Sequence, residues 1–353
     1  MIIKNLLLSG FRNLINCEIV PCEEVNIICG DNAQGKTNLI EAIWLLTGAK
    51  SFRNIKDSEL INFDKKEAVI EADFLGTGIE NNLKIKIDEK RNFYLNGKKK
   101  SGISEIIGKF CAVVFSPTDL NIINNSPAIR RKFIDTAVCQ IYPKYAELLR
   151  NYNRAVMQRN NVLKSCIRDA SLKILLDDFE KSIISNGEKI ISYRKRYIER
   201  LNEYAPEIYS NLAQNKEFLE IEYVCSYKEN FKEELLYKRS EDILKGITSI
   251  GPHRDDISFK INGFTAKEYS SQGQKRSICL ALKLAESKII EGIIGEKPVT
   301  LLDDVMSELD KHRQNYILNN IKDRQVFITC CDKTNFENLE KGKVFFVENG
   351  QVK

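Results

Sequence analysis

Gly30-Asp31-Asn32-Ala33-Gln34-Gly35-Lys36-Thr37 is the stretch that decides how the other residues of this 353-residue chain are read. It has the form G-x-x-x-x-G-K-T, a loop whose backbone amides cradle phosphate. Val25-Asn26-Ile27-Ile28-Cys29 precedes it, short, apolar and β-prone. Asn38-Leu39-Ile40-Glu41-Ala42-Ile43-Trp44-Leu45-Leu46 follows, with apolar residues at helical spacing. Gly30 and Gly35 let the backbone turn its N–H groups inward, and the helix after them aims its positive end at the same point. Lys36 adds a full charge for the β- and γ-phosphates, and the Thr37 hydroxyl suits Mg²⁺. Asp31, Asn32, Ala33 and Gln34 complete the set of candidate ATP-binding positions. A glycine turn beside a surface lysine, the bland alternative, does not account for the flanking strand and helix.

A second element supports the first. Val299-Thr300-Leu301-Leu302 reads as a buried strand and ends in Asp303-Asp304. Asp303 suits Mg²⁺ held through water, and Asp304 suits orienting and deprotonating an attacking water. Two acids after an apolar run can merely close a strand; beside a phosphate loop in the same chain they gain a purpose. Ser307-Glu308-Leu309-Asp310 follows at once. Upstream, Tyr269-Ser270-Ser271-Gln272-Gly273-Gln274-Lys275-Arg276-Ser277 opens the helical run Ile278 to Ala285. Ser270 or Ser271 as a helix N-cap is the plain reading. A hydroxyl, glycine amides and a helix N-terminus converging on a second phosphate is the functional one.

Apolar residues make up 43% of the chain and charged residues 29%, the balance of a soluble globular protein large enough for two or three domains. No apolar run reaches bilayer length. The opening Met1 to Gly10 lacks a basic flank and a cleavage site, so it is expected to be a strand rather than a signal peptide. Ten cysteines form no C-x-x-C pair and several sit in apolar runs, which points to reduced thiols in a cytoplasmic protein rather than a disulfide framework or zinc site. Net charge is +5, from 54 basic and 49 acidic residues, so a nucleic-acid face has to be local.

In order, residues 1–29 predict a hairpin and a third strand, and residues 50–100 a β-meander with a tight turn at Asn96-Gly97. Lys98-Lys99-Lys100 beyond it reads as a solvated turn or a phosphate contact. Ala112-Val113-Val114-Phe115 reads as a buried strand. From Ser126 to about Ala213, helical periodicity predicts two to four long helices. The clusters Arg130-Arg131-Lys132, Arg159 and Arg194-Lys195-Arg196 make this region locally basic, either as a DNA-facing surface or as paired charges. Strand character returns over 218–260, around Gly251-Pro252-His253-Arg254-Asp255-Asp256, a crowded turn in which His253 is given no acid–base role. Gln325 to Thr329 and Lys343 to Val347 read as the last strands.

The order GDNAQGKT, a helical insertion, SSQGQ opening a helix, then LLDD followed by SELD resembles ATP-binding-cassette ATPases of the SMC type. With FRN, SFR, FSPTDL, SPAIRRKFID, QRNNVLK, GPHRDD and YSSQGQKRS added, the whole chain is similar to the RecF family of bacterial recombination mediators. The resemblance implies an α/β fold: an ABC-type ATPase head with a mixed β-sheet core and an inserted, elongated α-helical domain. Residues 1–125 and 216–353 are expected to form the head, and 126–215 the insertion. It also implies ATP and Mg²⁺ as cofactors, with one ATP held between the P-loop of one subunit and the signature turn of a second, here Ser271, Gln272, Gly273 and Gln274. Lys36 and Asp304 take the catalytic roles, Thr37 and Asp303 the metal. Ser307 to Asp310 form the D-loop that touches the opposite subunit, and Arg12 and Asn13 lie near the nucleotide. The family's partners are duplex DNA and single-strand/duplex junctions, RecR and RecO, and a second copy of itself. Its roles are recombinase loading, replication-fork recovery and the SOS response.

Three features depart from related cassettes. Phe115-Ser116-Pro117 offers no glutamine before the helical lobe. Thr329-Cys330-Cys331 stands where a histidine is common. Asp304 replaces the commoner glutamate, and its shorter reach implies slow hydrolysis, a switch rather than a motor. An ABC-transporter ATPase subunit is the alternative function, and a P-loop small-molecule kinase a third; SQGQ differs from the transporter signature, and a kinase explains neither SSQGQ nor the acid pair.

Overall fold

In the computed structural model, which describes residues 1–53, 55–331 and 342–353 and only the backbone of residue 170, the chain begins with a hairpin of β1 (Ile2–Phe11) and β2 (Leu14–Ile19). β3 (Val25–Cys29) follows, and α1 (Lys36–Leu45) leaves the phosphate loop directly. β4 (Ala68–Gly76), β5 (Ile79–Ile87), β6 (Arg91–Leu95) and β7 (Lys98–Lys99) are the expected meander. With the first hairpin they form an antiparallel sheet in the order β2-β1-β4-β5-β6-β7. Buried and open positions alternate along β4, so one face packs on the core and the other is wet. Asn96 and Gly97 both take positive φ, 52° and 74°, as a two-residue hairpin turn requires. Lys98 and Lys99 lie exposed on the last strand of this sheet, where charge discourages edge-to-edge pairing.

β8 (Ala112–Phe115) is wholly buried, and a short α2 (Asn121–Asn124) leads into three long helices: α3 (Pro127–Ile141), α4 (Pro143–Cys166) and α5 (Leu176–Leu212). Tyr145, Tyr152 and Val156 of α4, and Ile183, Ile190, Tyr197 and Ile198 of α5, are buried, so the three- and four-residue spacing becomes the seam between helices. Next, β9 (Leu219–Val224) is followed by α6 (Phe231–Tyr237) and α7 (Arg239–Lys245), then β10 (Asp256–Ile261) and β11 (Phe264–Thr265). The strand reading of 218–260 misses the two helices, although Asn230 capping α6 and the buried pair Phe231 and Leu235 were there to be seen. Within the segment expected to belong to the head from residue 216, β9 packs on α5 and β10 on α3.

The chain returns through α8 (Ala266–Tyr269) and α9 (Gln272–Ile294) to β12 (Val299–Leu302), α10 (Lys311–Asn320), β13 (Val326–Cys330), β14 (Gly342–Glu348) and β15 (Gln351–Val352). The second sheet runs β15-β14-β3-β13-β12-β8, and the five strands from β14 to β8 are parallel. Leu302 sits opposite Ile328, and Cys330 opposite Cys29. The C-terminal ends of β3, β13 and β12 therefore reach one edge, where open α/β sheets bind ligands.

The basic clusters of the insertion are largely paired internally. Arg130 grips both carboxylate oxygens of Asp256 at 2.7 and 2.9 Å, and Arg194 grips Asp135 at 2.8 and 2.9 Å. Arg159, fully buried, reaches Glu180 at 2.9 Å and Asp242 at 2.7 Å. Lys195 and Arg196 stay exposed. The Gly251-to-Asp256 turn is a joint in this network: buried Asp255 accepts from Tyr223 Oη at 2.6 Å and the Ser226 amide at 2.7 Å.

His253 belongs to the same joint. Its Nε2–H faces Thr248 O at 3.1 Å, an atom that can only accept, so Nδ1 accepts from Tyr152 Oη at 2.7 Å. Burial, with Arg254 and Arg131 nearby, pushes the imidazole from the ordinary 6.5 down to about 4. Between those values the unfolded chain takes up a proton that the folded chain refuses. Stability therefore rises with pH across that window and is lost on acidification, by roughly 3 kcal/mol in total. Urea titrations at pH 4.5, 5.5 and 7 should show this slope in the wild type and its flattening in His253→Gln.

Candidate nucleotide site

The phosphate loop is shaped by what its glycines allow. Gly35 has φ +122°, and a Cβ there would lie 2.9 Å from Asn13 Oδ1; Gly30 has φ +157°, and its Cβ would lie 2.3 Å from Val347 O. Any side chain at either position meets both strain and collision. No side chain caps α1, so the N–H groups of its first turn stay available to an anion. Lys36, 5% exposed, lies across the loop and donates to Gly30 O at 2.6 Å and Asp31 O at 3.0 Å.

The first acid after β12 comes to this loop, and the second follows it. Thr37 Oγ1 donates to Asp303 Oδ1 at 2.9 Å, and Thr329 Oγ1 lies 3.2 Å from the same oxygen. The Asp304 amide donates to Thr329 Oγ1 at 2.8 Å, while Asp304 itself sits at φ +53°. Among the described residues no hydrogen bond or ion pair engages the Asp304 carboxylate. Burial, then the Asp304 charge, pushes Asp303 up to about 6. A buried carboxylate next to a hydroxyl is a hard-oxygen donor pair, and a divalent cation beside it would offset the burial, so Thr37 and Asp303 fit Mg²⁺. Among the described residues no group of three or more His, Cys, Asp or Glu could hold a metal alone.

Arg12 and Asn13 also arrive here. Asn13 Nδ2 donates to Gln34 O at 2.8 Å, Asn38 Nδ2 donates to Asn13 Oδ1 at 2.7 Å, and Arg53 Nη1 donates to Asn38 Oδ1 at 3.1 Å. Arg12 Nε is 2.8 Å from Glu41 Oε2 inside α1. This chain of contacts braces the loop from behind. Sequence reading found Arg12 and Asn13 but gave no role to Thr329, Asn38 or Glu41. Their polar character in apolar or helical runs was the available signal.

The signature residues stand elsewhere. Ser271 caps α9: its Oγ accepts from the Gln274 amide at 3.2 Å, and Gln274 Oε1 accepts from the Ser271 amide at 2.7 Å. Ser271 and Gln272 are exposed. Among the described residues no hydrogen bond joins Ser271 to Gln274 with the phosphate loop. The helix they open meets the Ser307-to-Asp310 segment and α10 instead. Arg276 Nη1 donates to Glu308 O at 2.8 Å, and Arg313 Nε to Ser277 Oγ at 3.0 Å. Ser307 Oγ donates to Asp304 O at 2.9 Å, and Asp310 caps α10 at the Arg313 amide, 3.0 Å. The start of α9 and the Ser307-to-Asp310 segment thus brace one another next to Asp304. A separate cavity of about 490 Å³, lined by Thr47, Ile103, Arg131, Leu149 and His253, shares no residue with the phosphate loop.

The family model for the RecF/RecN/SMC N terminal domain matches residues 2–353. The DNA replication and repair protein RecF of Clostridium perfringens (strain SM101) is 43% identical over 365 aligned residues, covering 100% of this chain and 99% of that protein. A solved structure of the recombination mediator protein RecF with ATP, from the RecFOR pathway, superposes with a TM-score of 0.92 at 36% identity, covering 100% of this chain and 97% of the other. The Smc head domain of Pyrococcus furiosus shares the fold, with a TM-score of 0.56 at 20% identity over 100% of this chain and 95% of that one. Among the described residues no helix is long and apolar enough to cross a membrane.

Proposed function

We propose, because this chain belongs to the RecF family of SMC-type ATPases, that it binds ATP and duplex or gapped DNA in recombinational repair and replication-fork recovery. The observation that carries the reading is the 2.9 Å hydrogen bond from Thr37 Oγ1 to Asp303 Oδ1, which brings the phosphate loop and the acid strand into one site. Lys36 and the first-turn amides of α1 bind phosphate, Thr37 and Asp303 hold Mg²⁺, and Asp304 takes the proton of the attacking water. The metal, when bound, neutralises phosphate charge.

One copy supplies only half the cage. Among the described residues the Ser271-to-Gln274 turn makes no hydrogen bond to its own phosphate loop, so a second copy presents it to the nucleotide. ATP then acts as glue between heads, and hydrolysis releases them. Slow turnover at the short Asp304 suits a clamp that holds DNA while RecR and RecO assist recombinase loading. The transporter reading gains no support from a chain whose relatives over its full length are DNA repair proteins.

Ser271→Arg tests the shared cage. The variant should bind a fluorescent ATP analogue as a monomer with unchanged affinity, yet form no dimers by light scattering under saturating ATP–Mg²⁺. Loss of monomer binding, or dimers of wild-type stability, would overturn the assignment of the signature to a second copy.

A further inference from the structure

Two thiols meet directly behind the phosphate loop. Cys29 ends β3, Cys330 ends β13, and the two are register partners in the parallel pairing. Their Sγ atoms lie 3.0 Å apart although the residues are 301 positions apart in sequence. Paired strands run about 4.8 Å apart, within the roughly 4.4–6.8 Å between Cα atoms that a disulfide accepts. Side-chain rotation is therefore enough to close the bond. Cys29 is 3% exposed, whereas Cys330 is only partly buried, so an oxidant reaches Cys330 first. Burial, and the Cys29 thiol beside it, push Cys330 above the ordinary thiol range, which slows its reaction at neutral pH.

We propose that Cys29 and Cys330 are a modification site for hydroperoxides, which join them in a disulfide that ties β3 to β13 at the nucleotide cradle. The Cys330 thiolate attacks a peroxide oxygen, the O–O bond breaks, and one water leaves. The Cys29 thiolate then attacks the resulting sulfenic sulfur, the S–O bond breaks, and the second water leaves. The two sulfurs lose two electrons in total, hydrogen peroxide gains them, and the two thiol protons end in water. The bond lies next to Gly30 of the phosphate loop and next to Thr329 of β13, the residue that touches both acids, so oxidation stiffens this edge of the site. Cys331, exposed and 3.6 Å from Lys36 Nζ, is the competing thiol.

The full-length protein, reduced and then treated with hydrogen peroxide under native conditions, tests this. Alkylation followed by mass spectrometry should find two of the ten thiols protected and one cross-linked peptide pair joining residues 29 and 330. The melting temperature should rise by roughly 5 °C or more, since so long a loop is closed, and dithiothreitol should reverse the rise. Cys331→Ser should behave as wild type, and Cys29→Ser should lose both responses. If Cys29→Ser does not fold, the wild-type cross-link map decides alone. A Cys330–Cys331 link, ten freely alkylated thiols, or oxidation stopping at sulfinic acid overturns the proposal.

Discussion

ATP turnover by Asp304→Asn is expected to fall by about 10²- to 10³-fold while nucleotide affinity is kept. An amide cannot take the proton of the attacking water, but it preserves every other demand made at this position. Asparagine tolerates the left-handed φ of +53° better than most residues. The backbone N–H still reaches Thr329 Oγ1, and the backbone carbonyl still accepts from Ser307. The loss of charge also acts on the neighbouring acid. Asp303 is pushed up to about 6 by burial and, after that, by the Asp304 carboxylate. Removing the second cause leaves Asp303 more fully ionised at neutral pH, so affinity for Mg–ATP has no reason to drop. Single-turnover phosphate release, beside titration with a fluorescent ATP analogue, separates the two effects. Wild-type turnover would mean that another group is the base; binding and turnover lost together would mean that Asp304 is only structural.

Arg159→Leu is expected to destabilise the protein by about 3–5 kcal/mol, a large share of the roughly 5–15 kcal/mol that holds a domain folded. Arg159 is 0% exposed; it reaches Glu180 through Nε and Nη2, and Asp242 and Thr248 through Nη1. It thereby joins α4 to α5 and α7. Glu180 keeps Arg239 as a partner when Arg159 is lost. Asp242, also 0% exposed, keeps among the described residues only the Ser249 amide at 3.1 Å, a neutral donor for a buried charge. The cost is therefore that of a stranded carboxylate rather than of a missing contact. Urea denaturation should show the midpoint falling at constant slope. Adding Asp242→Asn should recover more than half of the loss; no recovery would mean that packing of the guanidinium stem carries the effect.

Much of the fold was legible before any coordinates, and for a local reason. The turn at Asn96-Gly97 needs left-handed backbone, and both residues have it. The apolar spacing of Tyr145, Tyr152 and Val156 matches a helix turn whatever packs on it. α6 was missed because the strands on either side drew the eye past a capping asparagine and one apolar pair. The functional stretches were legible too, since a phosphate loop and an acid-ended strand each declare themselves within eight residues.

What the sequence determined by itself was the inventory: a phosphate loop, a capped turn opening a helix, two acids closing an apolar strand, and the family these make in that order. Tertiary structure alone decided the adjacencies. Periodicity says which face of a strand is buried, not which strand lies beside it, and register between parallel strands is set by packing between segments hundreds of residues apart. That register puts Thr329 against both Asp303 and Asp304, and Cys330 against Cys29. The same limit applied to charge. Arg130, Arg159 and Arg194 could be read as a surface for DNA until folding brought a carboxylate to each, because a cation's partner is chosen in space and leaves no mark on its neighbours in the chain.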